Sequence, residues 1–204
     1  MDVTEKITPI VLCGGRSRRF GRDKLREVLP DGSWLIDRAI GVLRGVFGRR
    51  VKLVGECDAA LAARGDGVIV DRYLGKGPAA GILSALEETG ESVFVLAGDL
   101  PTIHAGAVRA VLAGAAVEPA AVAVLGAGPE VEPCIGLYRA GAAEYLRAAL
   151  SGERPGALRG AIPAEACGLV AIDRRAGANA NTPEELAALL RGKDAAGGGP
   201  NNHP

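Results

Sequence analysis

With 204 residues, the chain has room for one substantial hydrophobic core, and a single domain is the expected organisation. Apolar residues make up 48% and charged residues 24%, the balance of a folded globular chain rather than a disordered one. Lys and Arg number 24 and Asp and Glu 24, so no global field draws the protein to nucleic acid or an acidic membrane, and anion affinity has to come from a local cluster.

Met1 to Thr8 lacks the apolar segment of a secretion signal, and no apolar run approaches the ~20 residues of a bilayer span; the expected location is the cytoplasm. Pro9-Ile10-Val11-Leu12 reads as the first strand. The loop after it carries Gly14 and Gly15 and then crowds Arg16, Arg18, Arg19, Arg22 and Lys24 together. The two glycines open backbone angles that turn N–H groups toward a ligand oxygen, while Arg19 and Lys24 supply charge, a combination suited to a polyphosphate. Neither the Walker nor the dinucleotide fingerprint is present. A solvated basic loop is the plain alternative, and the mutual repulsion of its cations, which anions would relieve, argues against it.

Leu35, Ile36, Ala39, Ile40, Leu43, Val46 and Phe47 recur at helical spacing from about Ser33, so one face of a helix packs on the sheet. Val51 to Val54 is the second strand and Val68 to Asp71 the third. Asp71 begins a second glycine loop, through Gly75, Gly77 and Gly81, that runs into a helix from Pro78 to Thr89 with proline in its first turn. The positive end of that helix favours anions or a polar ligand edge. Asp71 either accepts from a ribose hydroxyl or base, or serves as a turn residue. The fourth strand, Val93 to Leu96, is apolar throughout and belongs in the sheet centre. It ends in Gly98-Asp99-Leu100-Pro101, where Asp99 is either a turn residue or a carboxylate that bridges magnesium to substrate phosphates.

A helix near His104 to Ala115, strands at Ala121 to Leu125 and Cys134 to Tyr138, a helix from Ala142 to Leu150 and a strand at Val170 to Asp173 follow. Thr182 as cap, Pro183 first inside and Glu185 as capping-box partner open the last helix. The domain is expected over residues 1–193, with 194–204 a disordered tail. Cys13, Cys57, Cys134 and Cys167 show no metal-binding spacing and read as small buried thiols in a reducing compartment. Short strands alternating with helices predict an α/β, three-layer Rossmann-like fold around a central, mostly parallel sheet, with ligands outside the carboxyl ends of its strands.

Taken in order, these motifs resemble those of the molybdenum cofactor guanylyltransferases, in the MobA-like nucleotidyltransferase superfamily. Leu12-Cys13-Gly14-Gly15-Arg16-Ser17-Arg18-Arg19-Phe20-Gly21-Arg22-Asp23-Lys24 is similar to the family's L-A-G-G-x-S-x-R-M-G-x-D-K signature. Asp71, Gly75 to Ile82, Gly98 to Pro101, Glu132-Pro133 and Asn179 to Leu186 resemble its later motifs. The resemblance implies a nucleotide-diphospho-sugar-transferase-like fold and transfer of GMP from GTP to the terminal phosphate of molybdopterin, with release of pyrophosphate. It implies nucleotide contacts from Leu12, Cys13, Gly14, Gly15, Lys24, Asp71, Gly77, Pro78 and Asp99, phosphate contacts from Arg19 and Lys24, catalysis from Arg19, Lys24 and Asp99, and Mg²⁺ binding by Asp99. Asn179 and Asn181 match the N-x-N-T-P segment near the pterin. Transient contacts with other cofactor-biosynthesis proteins are compatible with this role.

Three departures stand out: Cys13 replaces Ala, Phe20 replaces Met, and Val54-Gly55-Glu56 lacks an asparagine the family often carries. The related cytidylyltransferases carry L-A-A-G in the first loop and lack G-P-x-A-G, so Gly14 and Gly77 to Gly81 favour guanine. A sugar-1-phosphate nucleotidyltransferase, usually longer, is the other enzymatic alternative, and a nucleotide-binding regulator the non-enzymatic one. A nucleic-acid module is disfavoured because aromatic residues are only 3% of the chain and base stacking lacks platforms.

Overall fold

The computed structural model describes residues 7–14, 23–48, 50–152, 158–178, 180 and 182–194. The elements are β1 (Ile7–Leu12), α1 (Leu35–Phe47), β2 (Lys52–Val54), α2 (Ala59–Ala62), β3 (Val68–Ile69), α3 (Pro78–Thr89), β4 (Ser92–Ala97), α4 (Ala105–Val117), β5 (Ala123–Ala127), β6 (Val131–Tyr138), α5 (Ala142–Ser151), β7 (Cys167–Ala171) and α6 (Pro183–Asp194). The strands form one sheet in the order β3-β2-β1-β4-β6-β5-β7. β1 pairs in parallel with β2 and β4, β2 with β3, and β5 with β7, whereas β6 runs antiparallel to both its neighbours. The apolar β4 lies in the middle, as burial on both faces requires.

Alternation along β4 builds the two outer layers. Phe94 and Leu96 pack with Ile36, Ile40 and Leu43 of α1 and Val108 and Val111 of α4. Val93 and Val95 face the other way, against Ile82, Leu83 and Leu86 of α3 and Leu146 of α5. The three-layer arrangement thus follows from the period-two side-chain pattern of one strand. A smaller cluster joins Leu186 of α6 to Leu29, Leu35 and Ala180, docking the last helix beside the start of α1. No helix among the described residues is long and apolar enough to cross a membrane.

Element ends differ from the sequence expectation where side chains or pairing intervene. α1 starts at Leu35 because the Ser33 N–H is held by Asp31 at 3.0 Å, and Asp37 then accepts from the Trp34 N–H at 2.8 Å to cap the first turn. α4 starts at Ala105 because His104 stays extended and its Nδ1 accepts from the Ala107 N–H at 3.4 Å. β7 spans Cys167–Ala171 rather than Val170 to Asp173, because it pairs residue by residue with β5. β5 and β6 extend into Ala127 and Val131 through a tight connection in which the Gly128 N–H donates to the Glu130 carbonyl at 2.9 Å. Pro133 is tolerated within β6 because the register shifts there, between the Leu125–Gly136 and Gly126–Glu132 pairs. At the C-terminus, the Glu185 N–H donates to the Thr182 hydroxyl at 3.2 Å, and α6 continues through Asp194, where a tail was expected to begin.

Candidate active site

From β1 the chain runs outward through β2 and β3, then returns on the other side of β1 to form β4. That reversal leaves a crevice outside the carboxyl ends of β1 and β4, where ligands bind in sheets of this type. The ends are knitted together by backbone. The Leu12 carbonyl accepts from the Gly98 N–H at 3.0 Å, the Cys13 N–H donates to the Val54 carbonyl at 2.9 Å, and the Gly55 N–H donates to the Ile69 carbonyl at 3.2 Å. Gly98 suits this close packing: a Cβ there would sit 3.1 Å from both the Leu12 carbonyl oxygen and Leu25 Cδ2.

Lys24 and Asp99, 75 positions apart by their numbers, meet in this crevice with Nζ and Oδ2 2.6 Å apart. Their side chains are 13% and 23% exposed. Lys24 opens a 3-10 turn, Lys24–Arg26, which the Asp23 carboxylate caps by accepting from the Leu25 N–H at 3.1 Å. The ammonium also donates to the Ala180 carbonyl at 2.8 Å. One cation therefore joins the ends of β1 and β4 to the segment before α6. The Thr102 hydroxyl ties that segment again, donating to the Arg175 carbonyl. Among the described residues no group of three or more His, Cys, Asp or Glu is placed to hold a metal ion. Asp99 therefore offers its carboxylate, beside an ammonium, outside any such group, which fits a metal that takes most of its ligands from water and substrate phosphates.

On the far side of β1, Asp71 Oδ1 accepts from the Tyr73 N–H at 2.9 Å and lies 3.3 Å from the Ser84 hydroxyl. The turn role of Asp71 is therefore present in the structure. Gly77 precedes α3 with φ at 74°, a left-handed conformation, and Pro78 takes the first helical position. Gly81 lets α3 approach the sheet, since a Cβ there would meet Leu12 Cδ2 at 3.1 Å and Val54 Cγ1 at 3.3 Å. Lys76 turns away and donates to the Leu150 carbonyl at 3.2 Å at the end of α5. Leu12, Cys13, Gly14, Lys24, Asp71, Gly77, Pro78 and Asp99 accordingly all end, or follow, the parallel strands β1, β3 and β4 on their carboxyl side. Gly15, Arg19, Asn179 and Asn181 lie outside the described residues, although Ala180 between the two asparagines is described.

Two residues of β6 join this end of the sheet without a role assigned to them by sequence. Because β6 is antiparallel, its first residues, not its last, lie beside the end of β4. Burial pushes the Cys134 thiol up to about 12, with the Asp99 and Glu132 charges adding to the effect, so it remains a neutral thiol. Burial likewise raises Glu132 above the ordinary carboxyl value, opposed by Arg159 and reinforced by Glu130. Gly177, from the segment before α6, packs onto it: a Cβ there would lie 2.7 Å from Glu132 Cγ. A signal was present in Glu132-Pro133, but strand direction was needed to place it.

The native protein holds the Glu132 proton more tightly than the unfolded chain does. Ionisation above the ordinary value of 4.5 therefore costs native stability, and below it both states are protonated. Glu132→Gln is expected to raise the melting temperature at neutral pH, a gain that disappears as the pH falls below that value. Melting curves of both proteins across pH test this, and equal melting temperatures throughout would contradict it.

Residues 9–165 match the family model of the MobA-like NTP transferase domain. A molybdenum cofactor guanylyltransferase of Nitrobacter hamburgensis is 33% identical over 148 residues, covering 69% of this chain and 71% of that protein. An Opitutus terrae protein named probable molybdenum cofactor guanylyltransferase is 37% identical over 99 residues, 47% of this chain and 48% of that one. With that relative the match thus spans about half of either length. Among solved structures, the molybdopterin-guanine dinucleotide biosynthesis protein A of Archaeoglobus fulgidus has a TM-score of 0.70 at 24% identity, covering 92% of this chain and 99% of that one. That likeness is one of fold.

Proposed function

The chain belongs to the MobA-like NTP transferase family, and on that premise we propose that it transfers GMP from GTP to the terminal phosphate of molybdopterin and releases pyrophosphate. The observation that carries this reading is the Lys24–Asp99 pair, 2.6 Å apart, at the reversal point of the sheet. The acceptor phosphate is a monoester with a second pKa near ~6, so it is largely dianionic at neutral pH and attacks without a general base. A new P–O bond forms to the α-phosphorus of GTP, the α–β bridging bond breaks, and pyrophosphate leaves with the electron pair.

The residues then have to neutralise charge and fix the line of attack. Lys24, oriented by its two partners, presents an ammonium to the phosphates. Gly14, exposed after β1, leaves main chain accessible to the nucleotide, and the positive end of α3, which starts at Gly77 and Pro78, favours its phosphates. Magnesium is the proposed metal; when bound, it would supply positive charge to the phosphate oxygens. Asp99 is the residue that would hold it, leaving Lys24 to the substrate. Arg19, Gly15, Asn179 and Asn181 keep the roles implied by the family motifs. A cytoplasmic setting and transient hand-over contacts with other cofactor-biosynthesis proteins belong to the same proposal.

The test is to offer the purified protein molybdopterin and magnesium with GTP, CTP or ATP in turn and to measure pyrophosphate. Release is expected with GTP and to be much slower with the other two. Preference for CTP would overturn the nucleobase assignment, and no release with any of the three would overturn the reaction.

A further inference from the structure

Cys13 and Cys57 are separated by 44 positions, yet their sulfurs stand 2.8 Å apart. Neither is loosely placed. Cys13 is the first residue after β1, 6% exposed, with its N–H held by the Val54 carbonyl at 2.9 Å and its thiol 3.2 Å from the same oxygen. Cys57 is half-buried against the core and follows Val54 by three residues. Between them Gly55 turns with φ at 130° and lies directly on Gly14. Parallel pairing of β1 with β2 therefore brings the two thiols together from both sides. A disulfide needs sulfurs at about 2.05 Å, so bonding requires them to approach by less than about 1 Å.

We propose that Cys13 and Cys57 are a dithiol modification site that exchanges reversibly with low-molecular-weight disulfides, closing a covalent clasp between the ends of β1 and β2 beside Gly14. Cys57, the more exposed of the two, gives its proton to solvent and attacks one sulfur of the incoming disulfide. That S–S bond breaks, and one thiolate leaves with the electron pair and is protonated. Cys13 then loses its proton and attacks Cys57 Sγ, expelling the second thiolate, which is protonated in turn. Two electrons and two protons pass from the cysteines to the disulfide, yielding two small thiols and one Cys13–Cys57 bond. The order of attack agrees with the hydrogen bond between the sulfurs, which lowers Cys57 and, together with burial, raises Cys13.

The clasp has a consequence for the neighbouring Gly14. Gly55 closes directly on Gly14, since a Cβ on Gly55 would stand 2.8 Å from Gly14 N. Drawing Cys13 toward Cys57 therefore displaces Gly14, and GTP is expected to bind roughly tenfold more weakly to the oxidised form. This binding readout rests on the proposed function; the bond itself does not.

The experiment treats the full chain with oxidised glutathione and then maps its thiols. The expected product is lighter by two hydrogens, retains two of its four thiols, and yields a Cys13–Cys57 cross-linked peptide that dithiothreitol cleaves, while Cys134 and Cys167 remain alkylatable. Cys57→Ser and Cys57→Ala are expected to prevent that product. Four free thiols after treatment, or glutathione stably retained on Cys57, would overturn the site. A mapped bond with unchanged GTP affinity would overturn the effect on Gly14. Reduced protein that binds no GTP, while still forming the bond, would count against the proposed function and leave the site standing.

Discussion

Asp99→Asn is expected to lower GTP-dependent pyrophosphate release on the order of 10³-fold, the scale on which removing one preorganised charge from a phosphate or oxyanion site is felt. The amide keeps the shape of the side chain but no longer attracts a hard cation or balances Lys24. The fold is expected to survive at a modest cost. Lys24, 13% exposed, retains the Ala180 carbonyl at 2.8 Å and loses its counter-ion at 2.6 Å. That places the penalty between an exposed and a buried broken pair, about 1–2 kcal/mol. Lys24→Met is expected to abolish turnover comparably and to weaken GTP binding as well. Combining the two changes should destabilise less than the sum of the single effects, because neither charge is left alone. Thermal melts and pyrophosphate assays on the three variants supply the measurement. Near-normal turnover in Asp99→Asn would remove that carboxylate from the reaction.

Gly55→Ala is the second change with a large expected effect, and it acts without touching a charge. The residue sits at φ 130°, and the added Cβ would be 2.8 Å from Gly14 N and 3.1 Å from Gly14 Cα, both backbone atoms held by strand ends. Conformational strain and the clash together are expected to cost about 2–3 kcal/mol. Relief requires Gly14 and Gly55 to part, so GTP affinity should fall along with stability. Gly48→Ala is the control. It also has positive φ, 57°, at the end of α1, but nothing within 4 Å of the new Cβ. It should cost about 1 kcal/mol and leave GTP binding intact. Equal losses in the two variants would mean that the contact with Gly14 carries no weight.

What the sequence makes legible here is whatever is decided locally. The central place of β4 could be read from four apolar residues in succession, and the start of α3 from a proline after a glycine. Lys24 and Asp99 each announced themselves by following a strand. What escaped depends on pairing between distant segments. The direction of β6, which brings Glu132 and Cys134 to the ligand end, is fixed by its hydrogen bonds to β4 and β5 rather than by composition. The approach of Cys57 to Cys13 depends on the register of β2 against β1, so spacing along the chain gave no hint of it. The turn role of Asp71 was one of two open readings, and the neighbouring Tyr73 N–H realises it in the structure.

The Ala180 carbonyl that steadies Lys24 comes from beyond residue 165, where the family match ends. A protein trimmed to the matched stretch would keep every strand of the parallel core up to that boundary but forfeit this buttress, together with the closing helix anchored on Leu29 and Leu35. Its lysine would regain rotational freedom, and that lost rigidity would have to be restored at each encounter with a substrate.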